Sequence, residues 1–251
     1  MRNIIAFLLL SLTSVTVARA QKVLLEQDVA RDTIKSNFGP NLKYFGHFYG
    51  GFGLAASAAE AKSSAVEYPA SHEFVFGYRF KYRVGQVYAL GFETSVSSQT
   101  FKIKQQSGKT LPTTMLFEEE KFRFTNFGLG VYQRFNWGKR GNHVGKFIDL
   151  GVFGNWMPVK VHIYEDDNIF GVAGPLSGVK KVKVRETGLK YIADTNYGVS
   201  ARLGFNRYVF YANYRLSDLF NTGYAYMQEG VNVFDFAELP RLSVGFQIGF
   251  H

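Results

Sequence analysis

The run Phe74-Val-Phe-Gly-Tyr-Arg-Phe-Lys-Tyr-Arg83 places Phe74, Phe76, Tyr78, Phe80 and Tyr82 on one parity and Val75, Gly77, Arg79, Lys81 and Arg83 on the other. Side chains of an extended strand alternate between faces with a period of two. As a strand, this run therefore has one wholly aromatic face and one small or cationic face. A half-buried strand in water seldom sets five aromatic residues in register opposite three cations. Hydrocarbon against one face and a narrow polar interior against the other reproduces the pattern.

The alternation recurs along the chain. Tyr88, Leu90 and Phe92 oppose Ala89, Gly91 and Glu93; Ile148, Leu150 and Val152 oppose Phe147, Asp149 and Gly151. Val199 and Leu203 oppose Arg202 and Gly204, and Tyr208, Phe210 and Tyr214 oppose Tyr211, Asn213 and Arg215. A first strand over residues 43–57 has aromatics on both parities. A fourth, over 117–135, moves its apolar parity from Phe122 and Phe124 to Phe127, Leu129 and Val131, which predicts a bulge near Thr125-Asn126. With a last strand at 242–250, eight strands result. Their connections alternate between long (58–70, 102–116, 163–196, 218–240) and short (Val84–Gln86, Gly138–Asn142, Asn206-Arg207). The expected fold is all-β: an eight-stranded antiparallel up-and-down transmembrane β-barrel with short periplasmic turns and long extracellular loops.

Glycine indicates which parity faces outward. Gly77, Gly91, Gly151, Gly198, Gly204, Gly245 and Gly249 all share the charged parity. Glycine on a water-facing strand surface weakens the strand for no gain, whereas the interior of a small barrel has room only for small residues beside Arg. The aromatic parity is therefore assigned to lipid, in preference to a soluble barrel with its rings inside.

The N-terminus carries Arg2, an apolar run from Ile4 to Leu10 and a small-residue end at Ala18-Arg-Ala20, the pattern of a cleaved secretory signal over residues 1–20. Residues 21–40 read as a periplasmic segment and 41–251 as the barrel. Loss of Arg2 and Arg19 leaves 27 basic residues against 20 acidic ones. That surface favours anionic partners, but an exported chain without a nucleic-acid-binding motif excludes nucleic acid. The absence of Cys excludes disulfides, thiol chemistry and a lipid-bearing cysteine.

The closing strand, Leu-Pro-Arg-Leu-Ser-Val-Gly-Phe-Gln-Ile-Gly-Phe-His251, resembles the C-terminal strand of bacterial outer-membrane barrels. The resemblance implies that Phe246, Ile248 and Phe250 are the signal read by the barrel-assembly machinery, with His251 a departure from the usual terminal Phe. The chain from about residue 41 looks like the small eight-stranded class that includes the OmpA transmembrane domain and OmpX. Lys-Phe-Arg-Phe-Thr-Asn-Phe-Gly-Leu-Gly130 and Asn-Tyr-Arg-Leu-Ser-Asp-Leu-Phe220 are similar in texture to PorT-like barrels, some of which serve type IX secretion. These likenesses imply the outer membrane of a Gram-negative bacterium, both termini periplasmic, with outer-membrane lipid, lipopolysaccharide and an envelope protein as partners.

The inward parity gathers Arg79, Lys81, Arg83, Arg134, Arg202 and Arg215 against Glu93 and Asp149. Enclosed charges must be paired. The expectation is an ion-pair network among Arg79, Arg83, Glu93, Arg134, Asp149, Arg202 and Arg215, with Arg stacked on Tyr132 and Tyr211, in preference to an anion-selective pore. Lys180, Lys181, Lys183 and Arg185 are candidate contacts for lipopolysaccharide phosphates. His72 and His162 are the histidines expected near the outer rim, and neither sits in a catalytic or metal motif. Glu165-Asp-Asp-Asn168 matches no calcium loop. The chain is thus expected to be non-enzymatic and cofactor-free, a structural, accessory or binding component of the envelope. A small-solute channel and a rim-site lipid-modifying enzyme are the alternatives.

Overall fold

The computed structural model describes residues 36–56, 66–109, 112, 115–138, 141–167, 178–221, 227–228, 231–232 and 238–251. The expected signal segment 1–20, residues 21–35 of the expected periplasmic segment and parts of the four long connections lie outside these. Eleven strands follow one another: β1 (Tyr44–Ala56), β2 (His72–Arg83), β3 (Tyr88–Lys102), β4 (Glu119–Trp137), β5 (Lys146–Asp167), β6 (Lys181–Thr187), β7 (Thr195–Phe205), β8 (Tyr208–Arg215), β9 (Met227–Gln228), β10 (Val231–Asn232) and β11 (Leu242–Phe250). Among the described residues there is no α-helix, and one 3₁₀ turn spans Tyr68–Ala70.

Every pairing between these strands is antiparallel. The main sheet runs β4-β3-β2-β1-β11-β8-β7-β5-β6, and an additional β4–β5 pairing closes β1–β5, β7, β8 and β11 into a ring of eight. Closure satisfies the backbone groups that an open edge would leave unpaired. Two-residue hairpin chemistry is visible at Asn206-Arg207, where Asn206 takes φ 58°, a left-handed conformation that Asn tolerates.

Burial follows the parity of the residues. In β7 the pattern alternates without interruption, and in β4 the even residues from Glu120 to Asn136 point into the ring while Phe127, Leu129 and Val131 point out. β1 follows the same rule, with Phe45 and Tyr49 inside and Tyr44, Phe48 and Phe52 outside. Inward glycines make room for their neighbours: a Cβ on Gly91 would lie 2.2 Å from the Tyr132 ring.

Two expectations from sequence are corrected. Phe122 and Phe124 lie on the inward parity of β4, which never breaks. The register shift opposite Thr125–Phe127 is real, but there Thr125 pairs with Val159 and Phe127 with Trp156, so β5 holds the extra residue. Pro158 explains this, because a residue without an N–H is tolerated in a strand at a bulge. The stretch 163–196 is also not all loop. β5 continues to Asp167, and the basic run returns as β6, paired Lys181↔Asp167 through Thr187↔Val161. β4, β5 and β6 thus form a three-stranded projection at the end of the ring that carries the long connections.

Apolar clusters fill both ends of the interior. At the long-connection end Phe101, Phe122, Phe124 and Met157 from the ring meet Val66, Ile192, Leu219 and Leu239 from the connections. At the short-turn end Phe45, Val144, Phe147 and Val209 form a smaller cluster. The approach to β1 folds over this mouth: Lys81 Nζ donates to the Pro40 carbonyl (2.6 Å), and Asn41 Nδ2 donates to the Gly141 carbonyl in the β4–β5 turn (2.7 Å).

Candidate functional site

Between the two apolar clusters lies a charged belt, and strand register places most of it. Arg79 on β2 pairs directly with Glu93 on β3. Arg134, Asp149 and Arg202 occupy one rung across β4, β5 and β7. Residues opposite one another in register share a face, so these side chains meet in the interior. Arg134 forks Asp149 through Nε and Nη2 at 2.7 and 2.8 Å. Arg79 donates to Glu93 Oε2 through Nε and Nη2, both at 3.1 Å. Arg202 joins the two halves, with its Nη1 on Glu93 Oε2 and its Nε 3.3 Å from Asp149 Oδ2. Gln247 on β11 accepts from Arg79 Nη2 at 2.9 Å.

Each guanidinium also lies over a ring: Arg79 over Tyr49 at 4.3 Å, Arg202 over Tyr132 at 4.7 Å and Arg134 over Phe147 at 3.5 Å. The expected stacking on Tyr211 is corrected by these contacts. Tyr211 instead stands beside Glu73, which also meets Ser97. Glu73 was missed by sequence reasoning although it shares the parity of Val75, Gly77 and Arg79; it lies one residue before the aromatic run. With it, the mid-interior holds three carboxylates against the three belt arginines.

Arg83 and Arg215 stand apart from the belt. Arg83 Nη1 binds the carbonyl and Oδ1 of Asn41 at the short-turn mouth. Arg215 reaches the Leu239 and Ser217 carbonyls and Glu238 at the opposite end. Two cavities of about 50 and 40 Å³ lie beside Glu73, lined by Asn155, Asn213 and Phe153. Each has room for a few water molecules and no more.

A second buried polar cluster sits where the projection leaves the ring. His162 Nδ1 lies 2.9 Å from Glu186 Oε2 and its Nε2 2.9 Å from Glu120 Oε1. Glu120 Oε2 also takes Gln105 Nε2 at 2.9 Å and Lys109 Nζ. Burial pushes the Glu120 carboxyl upward, but the hydrogen bonds from His162, Lys109 and Gln105 outweigh it and hold the group below the ordinary carboxylate range. This cluster ties the β3–β4 connection, β4, β5 and β6 together. His72 Nδ1 is engaged with the Ala70 carbonyl at 2.9 Å, and both ring nitrogens of His162 face carboxylates rather than a hydroxyl. Among the described residues no three His, Asp or Glu side chains converge to hold a metal.

The remaining candidates lie on the surface. Lys181 pairs with Glu118, and Lys183 Nζ is 3.2 Å from Glu165 Oε2. Lys180 and Arg185 are exposed. Phe246, Ile248 and Phe250 point outward from β11, with Phe246 against the rings of Tyr208 and Phe210. No family model matches the chain, and no curated protein does.

Proposed function

We propose that this chain is a non-enzymatic outer-membrane β-barrel of a Gram-negative bacterium, a structural or accessory component that binds another envelope protein through its long-connection end. One observation carries the reading: the closed sheet is apolar outside and charged inside. Leu129 is 70% exposed, Val131 59%, Phe76 55%, Phe210 55% and Phe250 56%, while Arg134 and Asp149 are fully enclosed. A monomer in water rarely exposes more than a few hundred Å² of contiguous apolar surface, and this face extends around all eight strands. Tyr44, Tyr82, Tyr88, Trp137 and Tyr208 gather at the short-turn end, where an interfacial aromatic girdle is expected. That end would be periplasmic and the projection extracellular.

The sealed interior favours this role over a channel, because apolar plugs flank an ion-paired belt and the cavities between them hold only a few waters. The likeness to the OmpA and OmpX class, and to PorT-like barrels of secretion complexes, agrees with it. Leu129→Arg tests the membrane assignment. An arginine at the lipid-facing midplane costs about 2–4 kcal/mol, so the variant should insert poorly into vesicles. A chain that stays dispersed in water without detergent, and tolerates Leu129→Arg, would refute the proposal.

A further inference from the structure

Outward glycines on β1 are covered by neighbours. A Cβ on Gly46 would strike the Tyr78 hydroxyl, and one on Gly50 would rest on the Phe250 ring at 3.4 Å. Gly154 on β5 is different. It lies between Leu129 and Tyr197 in register, and a Cβ there would meet nothing nearer than the Asn196 carbonyl at 4.0 Å. The outward face is dented here by a depression of about 590 Å³, walled by Phe92, Leu129, Val131, Val152, Tyr197 and Leu216.

Above this depression, on the same outward face, the projection presents cations. Arg123 and Lys121 follow on β4, and Arg185 on β6 shares the Lys121 rung through Ile163. The carboxylates nearby are engaged elsewhere: Glu119 by Lys121 at 2.7 Å, Glu118 by Lys181, Glu165 by Lys183 and Glu186 by His162. Among the described residues Arg123 and Arg185 have no ion pair, and both are exposed. Two guanidiniums free to fork an oxyanion suit a carboxylate or a phosphate, and on a face that meets lipid headgroups the anion at hand is phosphate.

The spacing matches a lipid. Arg123 lies six residues from Leu129 along β4, roughly 20 Å at about 3.3 Å per residue. Half of a ~30 Å hydrocarbon core is about 15 Å. A phosphate held at Arg123 and Arg185 would therefore sit at the interface while its acyl chain reaches the Gly154 depression. We infer a binding site for a phosphorylated glycolipid of the outer leaflet, with the phosphate on Arg123 and Arg185 and one acyl chain against Gly154. The inference rests on the membrane reading above. It also divides the basic run: Arg185 serves the lipid, whereas Lys181 and Lys183 brace the projection.

The test uses the full chain, folded into phosphatidylcholine vesicles with or without a minor fraction of diphosphorylated lipid A. Insertion is scored first by heat-modifiable gel mobility. The protein is then extracted in mild detergent and its retained lipid A measured by mass spectrometry. Arg123→Ala/Arg185→Ala and Gly154→Leu should each lower retention on the order of tenfold, a factor equivalent to about 1.4 kcal/mol. Lys104→Ala, in the β3–β4 connection, should leave it unchanged. Equal retention by wild type and both variants overturns the site while leaving the membrane reading intact. Displacement of lipid A by inorganic phosphate alone would make the arginines a free-anion site and overturn the lipid assignment. Failure of the wild-type chain to insert overturns the membrane reading and the site with it.

Discussion

Glu93→Gln removes one charge from the belt while keeping its volume, so its cost measures what pairing contributes. Among the described residues Glu93 is the only carboxylate that Arg79 touches and one of two that Arg202 touches. The two guanidiniums are 1% and 3% exposed, so bulk water has little access to the stranded charges. Breaking a buried pair from one side costs about 3–5 kcal/mol, and the amide oxygen that Gln retains places this variant near the lower figure. Glu118→Gln is the control: its pair with Lys181 is half exposed on both sides, so solvent screening should make its loss small beside that of Glu93→Gln. Urea unfolding from detergent micelles, followed by the fluorescence of Trp137 and Trp156, reads both. Replacing the whole group, as Glu93→Leu with Arg79→Met and Arg202→Met, should recover part of the loss, because no charge is then stranded on that side of the belt. Equal losses for Glu93→Gln and Glu118→Gln would refute the argument.

Three further outcomes follow from the same geometry. Gly198→Ala should prevent β7 and β8 from pairing normally, since the new Cβ would lie 2.2 Å from the Tyr214 carbonyl oxygen, a backbone atom that cannot move aside; Gly85→Ala, in open space, should be neutral, and comparing folded yields decides. The depressed carboxyl of Glu120 contributes stability that is complete above the unfolded carboxylate value of about 4.3 and is lost as pH falls through its lower folded value. Proteolysis of the β3–β4 connection should therefore rise on acidification below that point in wild type, and lose this dependence in Glu120→Gln. In planar bilayers the wild-type chain should show no steady single-channel conductance; discrete steps of constant size would return the channel alternative to first place.

Much of the ring is legible because a strand has only one periodicity to read. The run from Phe74 to Arg83 declares both faces, and short turns such as Asn206-Arg207 fix which residues stand opposite each other. Arg79 and Glu93 can be paired by counting outward from the β2–β3 turn, since both lie in one hairpin. What escaped the sequence shares one cause: it depends on partners beyond the adjacent strand. The parity of β4 read as switched because Phe122 and Phe124 are apolar, like the outward-facing residues of the other strands. They are instead packed under Ile192, Leu219 and Phe220, which arrive from distant connections. The bulge was assigned to the wrong strand because its cause, Pro158, lies on the partner. The Glu120–His162–Glu186 cluster joins three strands and a connection, and no local spacing announces it. β6 read as loop because an alternating Lys/Val run is as ordinary in a solvated extension as in a short outer strand.

The belt and the projection divide the labour of the chain. A belt residue touches its counterparts across the whole interior, so changing one alters the stability of the ring and says little about partners. The ring wall is also uneven: β4 and β5 have 19 and 22 residues, whereas β8 and β11 have 8 and 9. The surplus length of β4 and β5, with β6 beside them, is rigidly hydrogen-bonded yet unnecessary for closing the ring. Precise recognition works best on rigid elements, because a loop must lose conformational entropy on binding. The projection and the loops it braces are therefore where selectivity for a partner can reside without disturbing the ring. The Glu120–His162 cluster, buried at the root of the projection, controls how firmly that surface is held.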